Sequence, residues 1–194
     1  DYVIGDAIVT PFEAAPYYSE QIVQMPHSYQ ANDSRRAVAA HVPSRVDEGL
    51  PEQGFVFASF NNVYKIRRAF FRIWMDLLRQ VPGSVLWLVC DDIPIQQRLR
   101  HEAAACGVTP ERLVFARRVP LEQHLARHAH AGVLLDTLPY NAHTTSSDAL
   151  WAGVPVVTCI GRAFAGRVAA SLLHAVGLPE LVADHLDGYR ALAL

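Results

Sequence analysis

Cysteine is scarce in this sequence. Its 194 residues include only Cys90, Cys106 and Cys159, which are widely spaced and odd in number. Such a set supports neither a disulfide framework nor a cysteine-based zinc site. Because free thiols suit a reducing compartment, we expect the protein to be cytoplasmic.

Long apolar runs are also missing, although 51% of the residues are hydrophobic. No run approaches the roughly 20 residues that a membrane-spanning helix needs. Residues 1–6 have neither the basic nor the apolar region of a signal peptide. We therefore expect no membrane partner. Since the sequence starts abruptly in a strand-like segment without methionine, we expect the natural N-terminus to lie upstream.

Neither sign of charge is in large excess. Seventeen lysines and arginines face nineteen aspartates and glutamates, which gives a formal net charge of −2. This balance argues against a nucleic-acid-binding surface built on bulk positive charge, while a local basic pocket is still compatible with it.

Three familiar motifs do not occur. Gly-x-Gly-x-x-Gly and Gly-x-x-x-x-Gly-Lys-Ser/Thr are absent, which weakens the dinucleotide-dependent dehydrogenase and P-loop NTPase classes. Gly-x-Ser-x-Gly is absent too, and with it the best signature of a serine hydrolase.

The sequence does contain a regular alternation of short apolar runs and helical patterns. Strands are predicted at 55–60, 85–89, 113–115, 132–135 and 154–158. Helices are predicted at 70–81, 95–106, 121–130, from 144 onward, and at 168–176. The alternation with short connections predicts an α/β fold, a Rossmann-like parallel sheet with helices on both faces.

Three segments are predicted along the chain. Residues 1–30, with a short strand at 2–4, are interpreted as the end of a preceding lobe. Residues 31–53 lose apolar periodicity and read as a linker or surface loop. Residues 54–194 form the regular domain.

One turn has the character of a phosphate site. The strand predicted at 132–135 is followed by a turn that contains Pro139. Thr144, Thr145 and Asp148 then lie in the first turn of the next predicted helix. Free backbone N–H groups and the helix dipole favour an anion at such an end. The alternative is an ordinary capped helix.

Other polar residues are predicted to meet this turn at the carboxyl edge of the sheet, where such folds bind ligands. Lys65 follows the first strand and could reach a diphosphate, or it is a surface lysine. His124 and Arg127 share one helix face, where an imidazole could stack on a base and a guanidinium could donate to it. Arg127 could equally be a helix-surface charge, His143 an inert turn residue, and Asp148 a complement to the helix dipole.

Histidines at 124, 128 and 130 also suggest a metal site. No acidic ligand is suitably spaced beside them and no His-Glu-x-x-His pattern occurs, so we expect no metal.

Several segments together resemble the O-linked N-acetylglucosamine (O-GlcNAc) transferase family. They are 60–66, 81–88, His143-Thr144-Thr145 with Asp148, 150–155 and 167–171. The likeness extends to residues 1–4 and 18–27, which look like the end of that family's first catalytic lobe. The resemblance implies the GT-B architecture of two facing Rossmann-like lobes, with this chain mostly the C-terminal, donor-binding lobe. The first lobe, and the tetratricopeptide (TPR) repeats usual in the family, would lie upstream.

The resemblance also implies an activity. The family transfers N-acetylglucosamine (GlcNAc) from UDP-GlcNAc to serine and threonine hydroxyls of protein or peptide acceptors, inverting the anomeric carbon and using neither metal nor cofactor. Lys65 and His143 would stabilise the leaving diphosphate, while the general base would lie outside this chain. We therefore expect the isolated fragment to be inactive.

Roles for individual residues follow from the same resemblance. Thr144 and Thr145 would join Lys65 and His143 as diphosphate contacts. The uracil would stack on His124 and be read by Arg127 and the Val119 backbone, and the ribose would bind Asp148. Asn62 stands where the animal enzymes have glutamine, and Leu121 stands where they have a lysine near the ribose.

Two alternatives stay open. The related plant-type O-fucosyltransferase branch uses a GDP-sugar, but His143 in place of a glycine and Asp148 in place of a glutamate favour the GlcNAc branch. A non-catalytic scaffold that kept the fold is the other alternative.

The segment 31–53 is too short for the intervening domain of animal enzymes, which points to a bacterial-type member.

Overall fold

The computed structural model describes residues 1–194, with a six-stranded sheet at the centre. The strands are β1 Tyr2–Asp6, β2 Gln21–Met25, β3 Val56–Ser59, β4 Val85–Val89, β5 Leu113–Ala116, β6 Val133–Leu135, β7 Val156–Cys159 and β8 Val182–Ala183. The α-helices are α1 Arg68–Gln80, α2 Ile93–Ala105, α3 Leu121–Arg127, α4 Thr144–Trp151, α5 Val168–Ala175 and α6 Leu186–Ala193.

The six-stranded sheet has the order β5-β4-β3-β6-β7-β8, and every neighbouring pair is parallel. From β3 the chain adds β4 and β5 on one side, and then returns to add β6, β7 and β8 on the other. The order thus reverses between β3 and β6, which is where open α/β sheets form a ligand-binding crevice. The predicted α/β parallel sheet is confirmed.

Helices cover both faces of this sheet. Phe57 of β3 packs into a cluster with Phe70 and Trp74 of α1, and α2 and α6 contribute to the same face. The next residue, Ala58, packs into a second cluster with Ala149 of α4, to which α5 also contributes. Burial on both faces explains why these strands are almost continuously apolar in the sequence.

The predicted elements of the regular domain are all present, with boundaries shifted by a few residues. The helix predicted at 121–130 is divided, because α3 ends at Arg127 and a 3-10 turn follows at His128–His130. The sequence analysis missed β2, β8 and α6. Strand β8 has only two residues, and α6 contains Gly188, which weakens a helical pattern.

Residues 1–30 form a separate small unit docked on α5. Its strands β1 and β2 pair with each other in parallel. The buried Asp6 carboxylate accepts a hydrogen bond from Ser171 of α5 at 2.7 Å, and Val9 packs against Val168 and Leu172. Arg167 also donates to the Ile8 carbonyl, and the Tyr29 ring packs against Phe164, so several polar and apolar contacts fix the unit to the larger domain.

Residues 31–53 contain neither helix nor strand, yet the segment is packed. The Ala39 amide donates to the Glu122 carbonyl at 3.1 Å, and the Pro43 carbonyl contacts His130 Nε2 at 2.6 Å. Leu50 is buried in the second apolar cluster. The segment therefore lies against the domain. No helix in the structure is long and apolar enough to cross a membrane.

Replacing Tyr189 with phenylalanine should destabilise the fold. Its hydroxyl accepts from Trp74 Nε1 at 3.0 Å and donates to the Asp136 carbonyl at 2.9 Å, so the change leaves two buried groups unpaired. We expect the free energy of unfolding, measured by denaturant titration, to fall by roughly 1–3 kcal/mol. The control is Tyr17→Phe, since Tyr17 is 88% exposed. Equal stability of the two variants would contradict the role given to Tyr189.

Candidate functional site

Two adjoining clefts open at the carboxyl edge of the sheet, beside the reversal between β3 and β6. Each has a volume of about 440 Å³, and Leu121 lines both. The predicted site residues in the first cleft are Asn62, Lys65, Val119, His124, Arg127 and Thr145. Those in the second are His143, Thr144 and Asp148. The fold thus brings together all nine residues that the sequence analysis singled out.

A buried carboxylate organises this edge. Asp136 directly follows β6 and is fully buried. Its Oδ1 accepts from the Thr137 amide at 2.7 Å and from Asn61 Nδ2 at 3.3 Å, and its Oδ2 accepts from Thr158 Oγ1 of β7 at 2.6 Å. One side chain therefore joins the ends of β3, β6 and β7.

Burial raises the pKa of Asp136 to about 6, because the surrounding hydrogen bonds only partly offset the loss of water. At neutral pH the group is ionised, and its negative charge sits beneath the turn that leads into α4. That charge favours a cation nearby, and it also makes the pKa of Lys65 higher than burial alone would.

The turn into α4 is held by its own hydrogen bonds. Asn141 Nδ2 donates to the Thr137 carbonyl at 2.8 Å, and the Ala142 amide donates to Asp136 Oδ1 at 2.5 Å. No side chain caps the helix at His143, and the amides of residues 144–146 have no hydrogen-bond partner in the chain. These free N–H groups at a helix N-terminus are suited to an anion.

Lys65 places positive charge beside those amides. Its Nζ donates to the Asn141 carbonyl at 2.9 Å and lies 4.1 Å from the centre of the Tyr140 ring. The His143 ring stacks on the Tyr140 ring, with centroids 4.9 Å apart. Burial lowers the pKa of both Lys65 and His143. Lys65 is the only lysine in the sequence.

The first cleft ends in an aromatic corner around His124. Its Nδ1 accepts from Arg127 Nη2 at 2.7 Å and from Arg127 Nε at 3.1 Å. Since a guanidinium has only donors, the neutral ring must carry its proton on Nε2. The Phe60 ring centroid is 5.1 Å from that of His124. An imidazole fixed in this way offers one N–H and one face to a planar ligand.

Arg127 is not a helix-surface charge, because only 1% of it is exposed. Besides contacting His124, it donates through Nη1 to the Arg117 carbonyl at 2.7 Å and lies 3.7 Å from the Glu48 carboxylate. Burial lowers the pKa of Arg127. Most of its donors are therefore used within the chain, which orients His124.

The histidines at 124, 128 and 130 do not converge on one point, although the His124 and His128 rings pack edge to face with centroids 4.7 Å apart. His128 is fully buried, and its Nδ1 contacts the His124 carbonyl at 2.7 Å, whereas His130 contacts Pro43. No group of three or more histidine, cysteine, aspartate or glutamate side chains in the structure is placed to hold a metal ion.

The sequence analysis assigned no role to several residues of the site. Asp136 directly follows β6, and Asn61 comes two residues after β3, so polar residues at strand ends were an available signal. Arg118, which donates to Asn62 Oδ1 at 2.9 Å, also follows a strand. Arg36 forms an ion pair with Asp148 across 112 positions of sequence, and no local pattern indicates such a contact.

The chain is similar to known glycosyltransferases. The model of glycosyl transferase family 41 matches residues 36–194. The chain belongs to this family. It is 38% identical over its whole length to the probable UDP-N-acetylglucosamine–peptide N-acetylglucosaminyltransferase SEC of Arabidopsis thaliana, and 39% identical over 78% of its length to the Caenorhabditis elegans UDP-N-acetylglucosamine–peptide N-acetylglucosaminyltransferase.

A solved structure of a mutant of the Thermobaculum terrenum O-GlcNAc transferase matches the whole chain with a TM-score of 0.86 and 32% identity. The resemblance to the O-GlcNAc transferase family and to the C-terminal lobe of a GT-B fold is thereby confirmed. The chain spans 20% of the Arabidopsis protein, 13% of the C. elegans protein and 36% of the T. terrenum chain.

The His124 ring should stay neutral across the working pH range. Burial, His128 and Arg127 lower the pKa of His124 to about 3, and burial lowers that of His128 to about 4. We expect the ¹⁵N and ¹H resonances of the His124 ring, assigned with a His124→Gln variant, to report an Nε2-protonated ring that does not titrate between roughly pH 8 and pH 5. A midpoint near 6.5, or protonation at Nδ1, would contradict this arrangement.

The same shifts have a consequence for stability. Unfolded histidine takes up a proton below about pH 6.5, whereas these two folded residues do so only at about 3 and about 4. The stabilisation from His124 and His128 is therefore present at neutral pH and lost as the pH falls from about 6.5, toward about 4 for His128 and about 3 for His124.

Proposed function

We propose that this chain is the UDP-sugar-binding lobe of an inverting, metal-independent protein O-GlcNAc transferase. The observation that carries the proposal is the set of unpartnered amides at the start of α4, with Lys65 Nζ held beside the same turn. Together they provide positive potential and hydrogen-bond donors for a diphosphate without a cation. The names of the relatives support UDP-GlcNAc as the donor and a peptide as the acceptor.

The clefts have room for a nucleotide beside that anion site. The uracil would lie against His124, with the Val119 backbone and Arg127 at its edge, and Asp148 would hold the ribose. Asn62 would stand at the front of the first cleft, where Arg118 holds its amide oxygen. The diphosphate would lie between Lys65 and Thr144 and Thr145.

The reaction is a single displacement at the anomeric carbon. A serine or threonine hydroxyl of the acceptor attacks that carbon from one side, and the bond to the diphosphate oxygen breaks on the other, so the configuration inverts. The hydroxyl proton leaves to a base outside this chain. The electron pair of the broken bond stays on UDP, where Lys65, His143 and the α4 amides stabilise its charge.

The remaining components belong to the rest of the protein. An upstream catalytic lobe would face these clefts and supply the general base, and TPR repeats would present the protein acceptor. The three free cysteines support a reducing, cytoplasmic setting. No resident cofactor is required by the scheme, since UDP-GlcNAc is the donor substrate.

The direct test is nucleotide binding by the full-length protein, measured by calorimetry with chelator present. We expect UDP and UDP-GlcNAc to bind and Lys65→Ala to lose about 10- to 100-fold in affinity for both, because a charge-assisted contact of about 1.5–3 kcal/mol is removed. The matched control is Arg68→Ala, which removes an exposed cation only three residues away.

Each other outcome has a definite meaning. Preference for GDP over UDP would replace the proposal with the fucosyltransferase branch. No nucleotide binding, or binding unaffected by Lys65→Ala, would contradict the diphosphate site and favour a scaffold. If UDP binds as expected, release of UDP from UDP-GlcNAc on a peptide acceptor is the next measurement.

A further inference from the structure

A segment from the linker lies over the start of α4. In it, Asn32 Oδ1 accepts from the Ser147 hydroxyl, and Arg36 donates through Nη2 to the same hydroxyl oxygen at 3.1 Å. Arg36 Nη1 forms an ion pair with Asp148 Oδ1. We call residues 32–36 the strap. Its polar contacts with α4 therefore converge on two neighbouring residues, Ser147 and Asp148.

The ion pair is well shielded from water. The Arg36 side chain is 12% exposed and the Asp148 side chain 9% exposed. The Arg36 guanidinium also lies 5.1 Å from the centre of the Trp151 ring, one helical turn further along α4. A shielded pair with several fixed contacts has a defined geometry, unlike an exposed pair, which contributes little.

Only half of the Asp148 carboxylate is used by the strap. Oδ1 contacts Arg36, whereas Oδ2 has no hydrogen-bond partner in the chain, and the side chain lines the second cleft beside Thr144. Burial raises the pKa of Asp148 and Arg36 opposes that shift, so the arginine favours the ionised form. An ionised, oriented oxygen is a strong acceptor for a sugar hydroxyl.

We infer that Arg36 is a positioning residue that orients Asp148 for the ribose hydroxyls of the nucleotide. This inference rests on the proposed function. Arg36 itself needs no contact with the ligand, because it acts by holding one carboxylate oxygen and leaving the other free. The strap, which precedes the regular domain in sequence, thereby becomes part of the nucleotide site.

The test compares three ligands on the full-length protein, with calorimetry as the readout. UDP carries both ribose hydroxyls, 2′,3′-dideoxy-UDP carries neither, and inorganic pyrophosphate reports on the anion site alone. The variants are Arg36→Ala, Arg36→Lys and Arg35→Ala. The last is the matched control, because the Arg35 side chain is 90% exposed and pairs only with Asp33 at the surface.

For the unsubstituted protein we expect UDP to bind about tenfold more tightly than the dideoxy analogue. One charge-assisted hydrogen bond between Asp148 and a ribose hydroxyl accounts for a difference of this size. Arg36→Ala should lose about tenfold in UDP affinity, bring the two nucleotides to within about threefold of each other, and leave pyrophosphate affinity unchanged. The UDP affinity of Arg36→Lys should lie between those of Arg36→Ala and the unsubstituted protein. Lysine keeps the positive charge but cannot contact both Asp148 and Ser147 as the guanidinium does. Arg35→Ala should match the unsubstituted protein.

Three results would overturn the inference. Equal losses of UDP and pyrophosphate affinity in Arg36→Ala and Arg36→Lys would mean a general structural role. Unchanged or tighter UDP binding by Arg36→Ala would mean that Arg36 is irrelevant to Asp148 or competes with the ribose. Failure of the unsubstituted protein to bind UDP would overturn the proposed function and this inference with it, whereas the first two results leave the proposed function intact.

Discussion

The carboxylate of Asp136 is the constraint on which the site depends. It is fully buried at the end of β6, where it accepts hydrogen bonds from Asn61 after β3, from Thr158 in β7 and from two amides of the following turn. Because an unpaired buried charge is costly, these donors must stay in place around it. The Asp136 carbonyl also accepts a hydrogen bond from the Tyr189 hydroxyl, which joins α6 to Asp136.

The position of Asp136 determines where the other site residues lie at this edge of the sheet. The turn after Asp136 fixes where α4 begins, and its Asn141 carbonyl holds Lys65 beside the free amides. Two further groups flank this anion site, and they differ in chemistry. The buried Arg127 orients His124 as a neutral ring, and the strap presents one oxygen of Asp148. The topological reversal between β3 and β6 places these groups on adjoining clefts.

The strands were predictable because burial on both faces of the sheet makes them apolar runs, as in 85–89. Helix ends were predictable where a glycine follows the helix, as at Gly107. Site residues at strand ends were predictable because parallel strands bring their carboxyl ends to one edge of the sheet. The Arg36–Asp148 pair was not, because it joins segments 112 positions apart. Nor was the burial of Arg127, whose sequence context is that of an amphipathic helix. Strand β8 is too short to leave a pattern.

The most direct measurement of the central claim is a ¹⁵N–¹H correlation spectrum of the protein as UDP is added, with uridine in a parallel titration. If the α4 N-terminus binds the diphosphate, the amide protons of Thr144, Thr145 and Ser146 move downfield with UDP, as new hydrogen bonds to an anion require, and stay in place with uridine. If these amides do not respond while UDP binds, the diphosphate lies elsewhere and the account of the site is wrong.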